Sequence, residues 1–565
     1  MRKFFQATYS VAVIALFLAA VVLGFTQTKL FRSYLRTKLV QVVANDLHGE
    51  LVLSSLEGNL FTGFQVDNVV LRRDGEPVVV VERLEVKYDP LGFLAKSVAV
   101  SRLILTNPAI HLTRSATGQW NFDRFFRSSS PDTTPSSWTI NLKQIQIQGG
   151  ALEIVDSLGL AQRSLDSSLG IEPGRFNYSN IALDSLNLEG SLSIHPGEIG
   201  LSFRSLACRS PLPHFQLKNL SGDFVLARKN VSVRKMRVET EKSKLQLDAR
   251  FDSIDITKIT GLAQLQAVPV SIRLNIERLD FGELKQFIGT PVKFLEREIA
   301  GQIDFEGRFG LIDVRNVTIH TGSSVVRIAG TIANLHMPKD LELDLACIKN
   351  RIDPVDLQHL MPTLGIPDLS ALGIVDYELR FKGKPTSFNA KLSSTSQVGR
   401  IDVDGNIDVR DGTLSYDGSI KTARFNVAPL AGDSTLTSSL KTSITMQGRG
   451  TRLTDMTSLV RVEIDSSEFS GLPVSRSVAV MDIADRVIRP RVSLRIGSAR
   501  IDLGGTLQLQ PQDIVQYDLS GRINSLNLSD ITRKREHDSD VSFDLQAKGK
   551  MKSVAALSGD ISINV

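Results

Sequence analysis

Arg400-Ile-Asp-Val-Asp-Gly-Asn-Ile-Asp-Val-Arg410 sorts its side chains by parity. Ile401, Val403, Ile407 and Val409 share one parity, and Asp402, Asp404, Asp408 and Arg410 share the other. A strand sends successive side chains to opposite faces, so this segment has one apolar face and one wetted face. Leu341-Glu-Leu-Asp-Leu345, Val492-Ser-Leu-Arg-Ile496 and Val541-Ser-Phe-Asp-Leu545 read the same way. Sheets built from such strands are usually antiparallel. Most of them are not separated by helical patterns long enough for βαβ units. Short helical pieces are expected at 281–289, 354–364 and 89–97.

Working outward, three strand types recur in order. One ends in glycine, as in Val326-Arg-Ile-Ala-Gly330, Ile401-Asp-Val-Asp-Gly405 and Ile501-Asp-Leu-Gly-Gly505. A second runs into a bend at Asp280, Asp353, Asn426 and Asn527, at intervals of 73, 73 and 101 residues. A third carries a glycine beside basic residues, at Gly307, Gly383, Gly448 and Gly549, at intervals of 76, 65 and 101. The longest interval coincides in both series, as an inserted hairpin or two would produce, in copies of about five strands. Such a copy cannot bury its apolar face alone. Either a second sheet covers it or one long sheet curls upon itself. The only linker-like stretch is the Ser/Thr/Pro loop at 127–138, between a β region at 50–126 and repeated β-groove units at 139–565. Uninterrupted strands favour quasi-one-dimensional stacking, with roughly 37 strands after the N-terminal segment. The expected fold is mainly β: an N-terminal transmembrane helix, then an elongated, curled antiparallel β-sheet groove with a few short helices.

Residues 1–27 read as a membrane anchor. No charge occurs from Phe4 to Thr28, a run of 25 residues. Val11, Ile14, Leu16, Leu18, Val22 and Leu23 form its apolar centre, and about 20 such residues span a bilayer. Arg2 and Lys3 precede the run, as in a signal anchor with a cytoplasmic N-terminus. A cleaved signal peptide is the rival reading, and both send the remaining chain across the membrane. Residues 28–49 follow as an amphipathic helix, with Leu35, Leu39, Val42, Val43 and Leu47 near helical spacing. It reads as a cap on the first sheet, the alternative being an interfacial helix.

Composition narrows the function. The 565-residue chain has a formal charge of +5, but residues 1–40 hold six basic residues and no acid, leaving −1 for the rest. A folded region without a basic stripe argues against nucleic-acid binding. Two cysteines exclude a disulfide scaffold and a multi-Cys zinc site. Cys347 continues the apolar parity of Leu341–Leu345 and reads as a packed thiol. Cys208 has no assignment, and a disulfide between the two stays open. Ser438 and Lys441 match S-x-x-K, but on a strand that spacing faces opposite ways. Gly448-Arg-Gly450 lacks the third glycine of a phosphate-binding fingerprint. Asp402 and Asp404 read as solvated side chains on a polar face. No catalytic, metal or cofactor site is expected, and the chain does not read as an enzyme.

Leu56-Glu-Gly-Asn-Leu-Phe-Thr-Gly-Phe-Gln-Val-Asp-Asn-Val-Val-Leu71 resembles the opening of the AsmA-like proteins, in particular the TamB branch. Arg83-Leu-Glu-Val-Lys-Tyr-Asp-Pro-Leu-Gly-Phe-Leu94 is similar to the segment that follows it there. Pro108-Ala-Ile-His-Leu112 and Gly118-Gln-Trp-Asn-Phe122 resemble a further strand and turn of the family. The resemblance covers residues 1–126. It implies a single-pass protein of the bacterial inner membrane whose periplasmic bulk forms a β-groove, or β-taco. It implies phospholipids as cargo moved towards the outer membrane, in support of outer-membrane biogenesis. The TamB branch also implies an outer-membrane barrel partner and a chaperone-like scaffold in a translocation and assembly module, which is the alternative function.

The apolar parity would then line the groove, with headgroups in water at the open seam. The candidate lining residues are Leu341, Leu343 and Leu345, then Ile401, Val403, Ile407 and Val409, then Phe543 and Leu545. The plainer reading is that these side chains pack a dry core. A surface rod predicts that dry interior, and a transmembrane barrel leaves the N-terminal helix unexplained.

Overall fold

The computed structural model describes residues 24–46, 49–59, 62–90, 92, 96–123, 139–159, 175–211, 213–254, 262–288, 294–364, 368–510, 515–551 and 557–564. Among these residues the chain forms 31 strands and a few short helices. That is fewer strands than the roughly 37 expected, because several run long: Thr139–Asp156 has 18 residues and Asn180–His195 has 16. The anchor residues Val11, Ile14, Leu16, Leu18, Val22 and Leu23, and the loop at 127–138, lie outside the described residues. Among the described residues no helix is long and apolar enough to cross a membrane.

The chain divides into two compact units. The first holds residues 1–259 and 268–300; the second holds 260–267 and 301–565.

The first unit opens with the helix Lys29–Asp46. Glu50–Val52 and Ser55–Asn59 then pair with the same strand, Gly63–Arg73, on either side of buried Leu53. That strand pairs with Glu76–Asp89, and Glu76–Asp89 pairs with Ser97–Thr106 and Ala109–Arg114, two pieces separated at Asn107-Pro108. The next strand, Thr139–Asp156, departs from the expected antiparallel order. It runs parallel to both pieces. The connection through 115–138 is long enough to return the chain to the starting edge, which a hairpin cannot do. From Thr139–Asp156 to Pro269–Asp280 every neighbour is antiparallel and follows chain order.

The second unit is an antiparallel meander in which the repeat becomes visible. Its strand sets are closed by the helices Pro354–Leu360, Ala428–Ala431 and Leu528–Thr532; Phe281–Ile288 holds the same place in the first unit. The four bends spaced by 73, 73 and 101 residues are the starts of these helices. Asp353, Asn426 and Asn527 each accept a hydrogen bond from the backbone N–H two residues on. Asp280 accepts from Glu283 N–H. Pro354 at the first helical position supplies the required φ. Four strands separate consecutive helices in the first two sets, not about five. The third set has six, plus the short hairpin Ser467–Phe469 and Leu472–Val474. Two extra strands and a hairpin account for the 101-residue interval.

Just before three of these helices the register slips, between Cys347 and Asn350, Thr422 and Phe425, and Ile523 and Leu526. Lys349, Arg424 and Ser525 take positive φ there, at 55, 52 and 53°. Such a bulge bends the strand out of its ladder and releases it into the helix. Each helix then secures an earlier hairpin turn. The Glu283 carboxylate accepts from Thr240 Oγ1, Lys242 N–H and Ser243 Oγ at 2.5, 2.9 and 2.6 Å. Asp356 accepts from Ser323 N–H, Ser324 N–H and Ser324 Oγ at 2.8, 3.0 and 2.8 Å. Asp530 closes on Gly497, where an added Cβ would lie 2.4 Å from its Oδ2. In the remaining copy Pro429 replaces the acid, and fully buried Val398 fills the turn while its carbonyl accepts from Asn426 N–H. Helical pieces are therefore present where 281–289 and 354–364 were expected, the second continuing into the 3-10 turn Pro362–Leu364. Within 89–97, Pro90 and Gly92 have 3-10 geometry, Asp89 and Ser97 are strand, and 91 and 93–95 lie outside the described residues.

Candidate functional site

Because directly opposed residues of antiparallel strands point to the same face, the register can be followed from strand to strand. In the second unit Val317 opposes Ile328, and the row continues through Cys347, Leu379 and Leu392. It passes to Val403, Ile420, Ile444, Val462 and Ala479. It ends through Val492, Leu503, Gly521, Leu545 and Ile563. Fifteen strands contribute one residue each, and none is polar. At ~4.8 Å per strand the row covers about 67 Å of sheet.

Two further rows, both on the side away from the helices, widen it. One runs from Ile312 through Ile332, Leu343, Gly383, Phe388 and Ile407 to Tyr416 and Gly448. The other includes Leu345, Phe381, Met446, Val460 and Met481. Three rows of alternate residues make a strip about 13 Å wide. The glycines of the third strand type have a packing role in it. Gly383 opposes Phe388, Gly448 opposes Tyr416 and Gly549 opposes Tyr517, so each aromatic ring has room to lie across its neighbour. Phe388 also stacks on Phe381 with ring centroids 4.6 Å apart.

The first unit has its own row. Leu56, Val66, Leu84, Leu105 and Ile147 oppose one another in turn. Leu188, Leu206, Leu220, Val238, Leu245 and Ile276 continue it. Eleven strands again contribute only apolar residues.

Exposure separates a dry core from an open surface. In the second unit's row Val317 and Cys347 are buried and Ile563 is exposed; the other twelve residues are half-buried. A packed core would seal them, and a bare sheet face would leave them as open as the charged residues opposite. Most of the row is neither sealed as in a packed core nor as open as Lys391, Arg461 and Arg522 on the other face.

The candidate lining residues fall unequally on this strip. Val403 and Leu545 lie in the fifteen-residue row, and Leu343, Leu345 and Ile407 in the two rows beside it. Ile401 and Phe543 extend a further row on the helix side, where Ile401 meets Ser394 and Thr422. Leu341 and Val409 do not belong to the ladder. Leu341 precedes the strand Glu342–Ile352, and Val409 follows Gly399–Asp408 with its N–H turned to Thr386 O. Their parity continued the pattern beyond the strand's start in one case and its end in the other. The pattern missed Leu379, Leu392, Ile420 and Ile444, whose own strands mix hydroxyls and glycines with the apolar residues.

The opposite face is wet and paired. Lys391 meets Asp404 at 2.9 Å, Arg522 meets Asp544 at 2.7 Å and Lys548 meets Asp518 at 2.9 Å. Arg400 holds the Asp402 carboxyl below the usual carboxylate range, Lys391 does the same for Asp404, and Arg410 for Asp408. Exposed pairs of this kind add little stability, and their effect is to keep this face in water. Two shallow concavities of about 910 Å³ open here, one lined by Lys382, Asn389, Asp417 and Gln447, the other by Arg491, Asp502, Arg522 and Asp544. Their charges are of both signs and largely paired.

The residues weighed for chemistry have structural partners. Ser438 Oγ accepts from Val427 N–H at the start of the helix Ala428–Ala431, while exposed Lys441 pairs with Asp465. Cys208 and Cys347 are both buried free thiols, and burial pushes both thiol pKa values up.

Fold and face together define a class: a repeat-built, largely antiparallel β-sheet protein in which each unit carries an unbroken row of apolar residues. Residues 1–165 match the model of the AsmA family, and over that stretch the chain is AsmA-like. The match is consistent with a role in envelope biogenesis or lipid transport. No curated protein and no solved structure matches the chain.

Proposed function

We propose that the apolar face of each unit carries the acyl chains of phospholipids through the periplasm, between the inner and outer membranes of a bacterial envelope. The observation that supports this reading is the row of apolar residues without a polar member, half-buried across most of its length. A lipid crossing water exposes its acyl chains at ~0.8 kcal/mol per CH₂, so a 16-carbon chain costs on the order of 12 kcal/mol. A continuous apolar strip offsets most of that cost at every step and requires no covalent chemistry. The strip's width of about 13 Å is close to half the ~30 Å hydrocarbon core, the depth of one leaflet. The headgroup stays in water beyond the strip. The uncharged run Phe4–Thr28 supports an inner-membrane anchor for such a carrier, and the AsmA-like N-terminal region supports an envelope role.

Photocrosslinking tests the reading. A benzophenone amino acid at Ile420 or Val462, in the row, should capture phospholipid in intact cells. The same probe at Ser419 or Arg461, on the charged face, should not. Phospholipid should also co-purify with the full chain and be identified by mass spectrometry. Capture of outer-membrane protein segments instead of lipid at Ile420 and Val462 would favour the scaffold reading. An outer-membrane barrel partner belongs to that alternative.

A further inference from the structure

The helix Lys29–Asp46 has two unlike sides. Its inner side rests on the first strands, where the Arg36 guanidinium donates to Leu53 O. Val40 and Val43 share that side and are half-buried. The outer side carries large apolar groups with no protein over them. Leu30 is 75% exposed, Tyr34 58%, Val42 48% and Leu39 39%. At 100° per residue these four fall within one half of the helix circumference, which also holds half-buried Phe31 and Leu35 and exposed Lys38 and Gln41. The charge is one-signed: Lys29, Arg32, Arg36 and Lys38 lie on this helix, and the first acid of the chain is Asp46. Lys38 Nζ lies 5.9 Å from the Tyr34 ring centroid, so a cation stands within this half, between Tyr34 and Val42.

We propose that this outer side lies in the headgroup boundary of an anionic bilayer, so that the helix is a wedge between the membrane and the first strands of the sheet. Three observations select a lipid surface as the occupant. That side is mainly apolar, and every charge on it or beside it before Asp46 is positive, Lys38 within it and Lys29, Arg32 and Arg36 beyond it, which suits an interfacial helix on anionic lipid. The uncharged run Phe4–Thr28 ends where the helix begins, so a bilayer holding that run is adjacent by connectivity. Phe25, 51% exposed and in edge contact with Phe31 at 5.8 Å, continues the apolar surface towards that run. The inference concerns how the first unit is held against the membrane and does not depend on lipid moving along the sheet.

Nitroxide scanning of the full chain in nanodiscs containing phosphatidylglycerol tests it. Cys208→Ser and Cys347→Ser remove the two buried thiols, and single cysteines at Leu30, Tyr34, Val42 and Ser33 carry the label. The ratio of collisions with oxygen to collisions with a water-soluble nickel complex should be roughly threefold or more higher at 30, 34 and 42 than at 33, as for side chains sunk about 5–10 Å below the surface. In phosphatidylcholine discs at high salt that difference should shrink. Equal nickel access at all four sites means the strip faces water and overturns the proposal. Low access to both reagents at 30, 34 and 42 means that protein covers it, which also overturns it. A depth unchanged by lipid charge and salt overturns the anionic requirement.

Discussion

Val403→Asp is the most direct perturbation of the proposed conduit. Val403 lies in the fifteen-residue row between Leu392 and Ile420, with Gly405 two residues along its strand. A carboxylate there stays hydrated, and its water must sit where a passing acyl chain would lie. Uncovering three or four methylenes at ~0.8 kcal/mol each raises that step by about 3 kcal/mol. This corresponds to a lipid transfer rate lower by roughly a factor of 100. Ile420→Asp, one strand away in the same row, should give a similar loss. Ser419→Asp adds the same charge on the wetted face and should leave transfer unchanged. The assay follows fluorescent phospholipid between donor and acceptor vesicles, or pulse-labelled lipid between the two membranes in cells. Circular dichroism and limited proteolysis check that each variant keeps its sheet. If folded Val403→Asp and Ser419→Asp move lipid at the same rate as the parent chain, the apolar row is not a path and the reasoning fails.

Gly330 has φ of +140°, and an added Cβ would lie 2.0 Å from Asp344 O in the neighbouring strand; Gly330→Ala should destabilise the second unit by about 2 kcal/mol or more, read as a lower unfolding midpoint. Asp356→Asn preserves shape but weakens the charge-assisted bonds to Ser323 and Ser324, and should cost about 1–2 kcal/mol, with faster hydrogen exchange confined to 321–324 and 354–360. Asp402, Asp404, Asp408 and Asp544 have depressed carboxyl pKa values from partnered Arg or Lys, so the folded chain binds fewer protons than the unfolded one in acid. Their contribution is present above about pH 4 and is lost as pH falls through the lower folded values; the unfolding midpoint should drop below pH 4, less steeply in high salt, and a flat profile from pH 6 to 3 would contradict these pairings.

Much of the fold was legible because strand parity is a local property. The alternation at 400–410 places Ile401 and Val403 on one face whatever the rest of the chain does. The bends at Asp280, Asp353, Asn426 and Asn527 were legible as a repeat because a capping side chain acts on backbone only two or three residues away. The acid that follows three residues later was not legible as a clamp. Glu283 and Asp356 reach turns some 30 to 40 residues earlier in the chain, across intervening strands. The strand ends were also hidden, since Val409 leaves the ladder only because the chain turns back there and its N–H goes to Thr386 O.

The amino-acid sequence by itself determined that the chain is built of one-sided strands, that short capped segments punctuate them at 73, 73 and 101 residues, and that an uncharged run precedes a basic helix. Only the tertiary structure decided that Leu379, Ile420, Ile444 and Leu545 stand in one row with Val403, and that Gly448 yields its space to Tyr416. Parity is imposed residue by residue by the pleat of a single strand. Alignment between strands depends on hairpin turns and on bulges such as those at Lys349, Arg424 and Ser525, where one extra residue shifts every side chain beyond it to a new partner.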